Sequence, residues 1–362
     1  MKESTRQRTF LPHILALLYG LAIAYASLQP FAPWLSPPSG TPFWVFATWP
    51  PKWTRADFIA NAVAYLPFGI FVALVPHRAS PRLRTGVAVA AGVTLAFAME
   101  TLQMFLPTRA ASLIDLLANA VGALAGGVLG STLVRAVRVR GSLSGARDYV
   151  FLPGRLGDVG IALLALWLTA QCNPGISLFA VNFEPGLPGA VNAVTAAPDM
   201  ASTMLEAAQS ALQLVGMGLF LALLLRDRRH IGGAVLLLIG IALMAKGLAA
   251  WLLLKPAAWE AWLKPGVAIG IAAGSLALLL VAFMPRPVQV AACAVALLSS
   301  LLLPFAGTDL GSMPAPLTLF NWRYGHLLNF NGLTHTVLLV WPIAAAAWLF
   351  ALAGKPAWGR PD

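Results

Sequence analysis

Ionisable and amide side chains are rare in the long apolar runs of this 362-residue chain, and those that occur come in pairs at helical spacing. Asp57 and Asn61 are four residues apart, Glu100 and Gln103 three, and Asp115 and Asn119 four, so each pair shares one helical face. Tyr65 continues the first stripe. An ionised group at the centre of a bilayer costs roughly 2.5–3.5 kcal/mol on insertion scales, so each of these residues needs a reason to be there. Arg109 lies in the short turn between the second and third pairs, where a guanidinium among carboxylates can form bidentate hydrogen bonds and compensate their burial. Asn61, Glu100, Gln103, Arg109, Asp115 and Asn119 are therefore the candidate ligand-binding set, with Asp57 and Tyr65 as secondary members. Two readings fit. The cluster either holds a ligand in an outward-facing polar pocket or pins neighbouring helices together, with Ser112 as N-cap of the third helix.

The second half carries its own polar set, in which Glu206, Gln209, Lys246 and Arg323 are further secondary candidates. Lys246 could pair with Glu206 or extend its ammonium toward the interface. No phosphate loop, HExxH or CxxC occurs, and the five histidines are scattered, so the sequence offers no catalytic motif, no metal site and no cofactor. Cys172 and Cys293 fall in different apolar runs, and no disulfide is expected.

The elements that must position these groups follow from composition. Hydrophobic residues make up 59% of the chain and charged ones 10%, with a mean hydropathy of +0.78, which excludes a water-soluble fold. The expectation is an all-α, polytopic membrane helix bundle of about ten transmembrane helices, near residues 12–29, 58–75, 85–106, 113–134, 158–172, 205–225, 231–253, 266–284, 288–305 and 333–352. The net charge of +11 is explained by topology and not by nucleic-acid binding, since alternate loops gather 17 basic residues against 6. With both termini cytoplasmic, the three pairs lie at one height toward the outer face. The first run ends in Ala24-Tyr25-Ala26, a possible signal-peptidase site, but it is long for a signal peptide and is read as a span. Residues 10–135 form a four-helix membrane domain, 136–157 a basic cytoplasmic linker, and 158–353 a second region of about six helices. That second region has features of a degenerate repeat. Glycines recur every fourth residue in both halves, at Gly122, Gly126, Gly130 and at Gly266, Gly270, Gly274, and Gly69–Leu74 resembles Gly218–Leu223.

The patterns Asp57-x3-Asn61-x3-Tyr65-x-Pro67-x-Gly69 and Glu100-x2-Gln103-x5-Arg109-x2-Ser112-x2-Asp115-x3-Asn119-x2-Gly122 resemble the VanZ-like membrane family. The resemblance covers roughly residues 10–135. It implies a multi-pass bacterial inner-membrane protein connected with the cell envelope and, as in the founding member, with low-level teicoplanin resistance.

The expected function is binding of an envelope component or an antibiotic headgroup at the outer cluster. The alternative is an enzyme acting on a lipid-linked envelope precursor, with Arg109 holding a phosphate and Glu100 or Asp115 as base. A secondary transporter fits less well, because the inner halves of the spans lack acids. The expected partners are the lipid bilayer and a lipid-linked precursor or glycopeptide, and not nucleic acid.

Overall fold

A computed structural model describes residues 9–46, 54–76, 78–140, 143–176, 178–179, 200–260, 262–303, 320 and 324–354. Arg323 and the stretches Trp49–Pro51 and Pro185–Pro188 lie outside them. Among the described residues there are eleven α-helices and no strand. They are α1 (Leu11–Leu28), α2 (Arg55–Leu74), α3 (Pro81–Gln103), α4 (Leu113–Arg140), α5 (Leu143–Val150), α6 (Gly154–Gln171), α7 (Met200–Leu224), α8 (Ile231–Leu253), α9 (Pro265–Val281), α10 (Arg286–Leu302) and α11 (Tyr324–Ala353). Each of the ten apolar stretches forms a helix.

Seven of these helices are long and apolar enough to cross a membrane, within α1, α2, α3, α4, α7, α8 and α11. The count of ten spans is not supported. Helices α9 and α10 have 17 residues each, about 25 Å at 1.5 Å per residue against a hydrocarbon core of roughly 30 Å. Helix α6 opens with Arg155 and Asp158, which dilute its apolar run.

The chain divides into two compact units, Met1–Arg147 and Asp148–Asp362. The stretch 136–157 contains the end of α4, all of α5 and the start of α6.

In the first unit, local sequence sets the helix starts. Thr54 and Asp57 form a capping box, in which the Thr54 hydroxyl accepts from the Asp57 amide at 3.1 Å and the Asp57 carboxylate accepts from the Thr54 amide at 3.3 Å. Ser80 caps α3 by accepting from the Leu83 amide at 3.3 Å. Helix α4 packs on α2 along Gly122, Gly126 and Gly130. A Cβ at Gly122 would strike the Ala62 carbonyl, one at Gly126 the Leu66 carbonyl, and one at Gly130 would come within 2.8 Å of the Ile70 carbonyl. These contacts advance together along both chains, so α2 and α4 run parallel, and their backbones approach closely because nothing projects from the glycines. Helix α3 runs antiparallel to α4. Thr85 meets Ser131 at 3.1 Å at one end of that pair, and Glu100 meets Ser112 at the other. Tyr65, Phe68, Val72, Ala88 and Ala96 fill the core between the helices.

The second unit has a larger core built on Trp167, Phe220, Trp341 and Trp348. Two of its buried indoles are satisfied by backbone. Trp341 Nε1 donates to the Leu163 carbonyl at 2.7 Å and Trp348 Nε1 to that of Leu156 at 2.8 Å. A second glycine seam joins α9 to α7. A Cβ at Gly266 would lie 2.6 Å from the Thr203 carbonyl, one at Gly270 would strike the Ala207 carbonyl, and one at Gly274 would lie 2.9 Å from that of Ala211. These helices also run parallel. Both units carry exposed apolar side chains, Leu21, Val63 and Val121 in one and Leu236, Met244, Leu279 and Phe350 in the other, as a surface facing lipid requires.

Candidate functional site

The site is assembled where the first turns of α2 and α4 meet the last turn of α3. Asn61 Nδ2 donates to Asp115 Oδ1 at 2.6 Å, joining α2 to α4. Glu100, only 4% exposed, accepts from the Ser112 amide at 2.7 Å through Oε2. Ser112 is the N-cap of α4, and its hydroxyl accepts from the Ile114 amide at 3.2 Å. One carboxylate thus receives an amide at the helix start while the neighbouring hydroxyl receives another. Glu100 lies close enough to Asp115 and Arg109 to feel both charges.

Two predicted members reach in a direction that the sequence did not suggest. Gln103 Nε2 donates to the Ser27 carbonyl at 2.9 Å. Arg109 donates from Nε and Nη2 to the Gln29 carbonyl, at 3.1 and 2.8 Å, and from Nη2 to the Ala26 carbonyl at 3.2 Å. The expected bidentate pairing of Arg109 with carboxylates is therefore corrected: its donors grip the carbonyl end of α1, where four backbone acceptors lack helical partners and a cation is favoured. Glu100 stays within its electrostatic reach. Burial lowers the affinity of the Arg109 guanidinium for its proton, and the Glu100 charge opposes that shift.

Asp57 belongs to the capping box of α2. Tyr65 and Asn119 stand apart from the other members. Tyr65 is 4% exposed and Asn119 6%, and neither the Tyr65 hydroxyl nor Asn119 Oδ1 has a hydrogen-bond partner among the described residues. The Tyr65 hydroxyl lies within the field of Glu100. Asn119 follows Asp115 by one turn on the same face of α4.

The remaining secondary candidates do not join this cluster. Glu206 Oε1 accepts from Lys264 Nζ at 2.8 Å, tying α7 to the start of α9. Gln209 is buried on α7. Lys246 is fully buried and does not pair with Glu206; its ammonium donates to the Asn173 carbonyl at 2.9 Å and the Ile176 carbonyl at 2.8 Å, just beyond α6. Asn173 in turn donates to Asn331 Oδ1 at 2.7 Å and Thr334 Oγ1 at 2.8 Å. Asn331 and Thr334, three apart on α11, were missed, although their spacing in an apolar run is the same signal that marked the first three pairs. Cys172 and Cys293 are free thiols.

Residues 8–134 match the family described as VanZ/LLP1, a span that holds α1 to α3 and ends within α4. No curated protein and no solved structure matches the chain.

Proposed function

We propose that this membrane protein, VanZ-like over its first four helices, uses the cluster at the junction of α2, α3 and α4 to hold the polar headgroup of a cell-envelope component, or of an antibiotic directed at one. The bacterial inner membrane is its proposed location, with both termini cytoplasmic and the cluster toward the periplasm, as the distribution of basic loops favours. One observation carries the reading. The Tyr65 hydroxyl, within the field of Glu100, and Asn119 Oδ1, one turn beyond Asp115 on α4, are buried without hydrogen-bond partners among the described residues. Buried polar atoms without partners cost about 1–3 kcal/mol each, so their retention is accounted for by a ligand that satisfies them.

The chemistry of the uncommitted atoms narrows that ligand. An amide oxygen accepts hydrogen bonds, and a phenol and a carboxyl group can do either. Such a set favours a headgroup with hydroxyls or amides to share, such as a sugar, and offers a phosphate no free cation. Arg109, the group that a phosphate-holding enzyme would require, is engaged on the carbonyl end of α1. This favours binding over the enzymatic alternative.

The test is complementation of a deletion strain challenged with glycopeptides and other envelope-directed compounds. Tyr65→Phe and Asn119→Leu should reach the membrane at wild-type abundance and fail to restore the wild-type response; full restoration by both would remove the basis of the proposal. Glu100→Gln separates the two chemistries, because partial function is compatible with binding alone, whereas complete loss at normal abundance points to proton transfer.

A further inference from the structure

The opposite end of the first unit carries a second polar site of different character. A groove of about 430 Å³ runs between the start of α3 and the last third of α4. Arg82 from α3 and Arg135 from α4 flank it, and Thr85, Ser131 and Thr132 line it between them. The hydroxyls are held in place: Thr85 Oγ1 lies 3.1 Å from Ser131 Oγ, and Thr132 donates to the Leu129 carbonyl at 2.8 Å. Val128 supplies an apolar wall and is itself exposed, continuing onto the lipid-facing surface with Leu129 and Leu133.

Among the described residues of this unit, charge at this end is of one sign. Arg78, Arg82 and Arg84 surround the start of α3 and Arg135 lies on α4, while residues 58–99 and 116–147 contain no Asp or Glu at all. Among the described residues, Arg82 and Arg135 form no hydrogen bond or ion pair. Both are exposed, so their guanidinium groups are available to a ligand that enters from the bilayer surface.

We infer that this groove binds the phosphate of an anionic phospholipid. Two guanidinium groups supply the charge and the fork geometry that phosphate oxygens match, between hydroxyls whose own protons are donated to the Gly127, Pro81 and Leu129 carbonyls. The apolar wall of Val128, opening onto exposed leucines, accommodates the start of an acyl chain, which a free phosphate lacks. Basic pockets between transmembrane helices recognise lipid headgroups by this combination. The site differs in chemistry from the acceptor-lined cluster at the other end of α3 and α4 and does not depend on it.

Native mass spectrometry of the full chain in detergent tests the assignment, with phosphatidylglycerol, phosphatidylcholine and inorganic phosphate as separate probes. The wild type should retain phosphatidylglycerol and neither of the others. The double variant Arg82→Gln/Arg135→Gln should retain it about 25-fold more weakly, at roughly a factor of five for each arginine near an anionic headgroup. Equal retention of phosphatidylglycerol by the variant, or retention of phosphatidylcholine or inorganic phosphate to the same degree by the wild type, overturns the proposal. If the variant does not reach the membrane, a photoactivatable phosphatidylglycerol applied to the wild type decides. Crosslinks concentrated in residues 81–85 and 128–135 support the site, and labelling spread evenly over the apolar surface overturns it.

Discussion

The seam between α2 and α4 and the seam between α7 and α9 are built alike and closed differently. In each, two parallel helices meet along glycines spaced four apart that face backbone carbonyls of the partner. Each is tied by one polar bond near the helix starts, Asn61 to Asp115 in the first unit and Lys264 to Glu206 in the second. The second tie joins opposite charges and is electrically complete. The first joins an amide to a carboxylate, with Glu100 nearby, and its unit also buries the Tyr65 hydroxyl and Asn119 Oδ1 without a hydrogen-bond partner among the described residues. The same scaffold thus ends in an ion pair in one unit and, in the other, in an amide–carboxylate bond accompanied by unsatisfied polar atoms. That contrast directs the functional reading to the first unit.

The likeness of the seams is most directly broken at their centres. Gly126→Val and Gly270→Val should each destabilise the protein by about 3 kcal/mol, at the upper end of the range for overpacking, because the new side chain meets a backbone carbonyl. Thermal unfolding in detergent and membrane abundance read this out. Tolerance of one substitution and not the other would show that the seams are not equivalent. A smaller effect, about 2 kcal/mol, is expected for Lys246→Met, which takes the ammonium donor from the Ile176 carbonyl and leaves that of Asn173 with only the long bond from the Ile176 amide at 3.4 Å. Breaking the ties should cost about 1 kcal/mol, for Glu206→Gln and for Asn61→Ala alike, but only the first loss should shrink as salt is raised, since only that tie is an ion pair with an exposed side. Tyr65→Phe should change stability least, within about 0.5 kcal/mol or toward higher stability, because the hydroxyl it removes has no partner to lose. Unfolding of that variant beside its complementation phenotype separates a ligand group from a structural one.

Much of this organisation was legible in the sequence. Hydropathy marked ten apolar helices, though α11 starts nine residues before the expected span and α4 ends six beyond it, and the pairs Asp57 and Asn61, Glu100 and Gln103, Asp115 and Asn119 stood out because charge is costly in an apolar run. What escaped was whatever the backbone supplies. Arg109 and Lys246 both hold carbonyl oxygens beyond a helix end, and every residue type carries such an oxygen, so composition points instead to the visible acids as partners. The count of ten spans lacks support where helices are short. The ends of α9 and α10 are set by Lys264-Pro265 and by Pro285 and Pro287, and the resulting lengths fall just below a membrane's width. The two seams also correspond in a register about two helical turns away from the one suggested by Gly69–Leu74 and Gly218–Leu223, because Ala62 and Thr203 occupy equivalent places beside the first glycine of each seam.

The attachment of α1 has a mechanical consequence. Of its 18 residues only Ile23 is buried, and Gln103 and Arg109 fasten it by hydrogen bonds at the Ala26 to Gln29 end. The helix is thus stayed at one end like a mast. A thinner or thicker bilayer is accommodated by tilting α1 about that fixed point, a small adjustment of the kind mismatched spans make, while the groups gathered at the pivot keep their spacing.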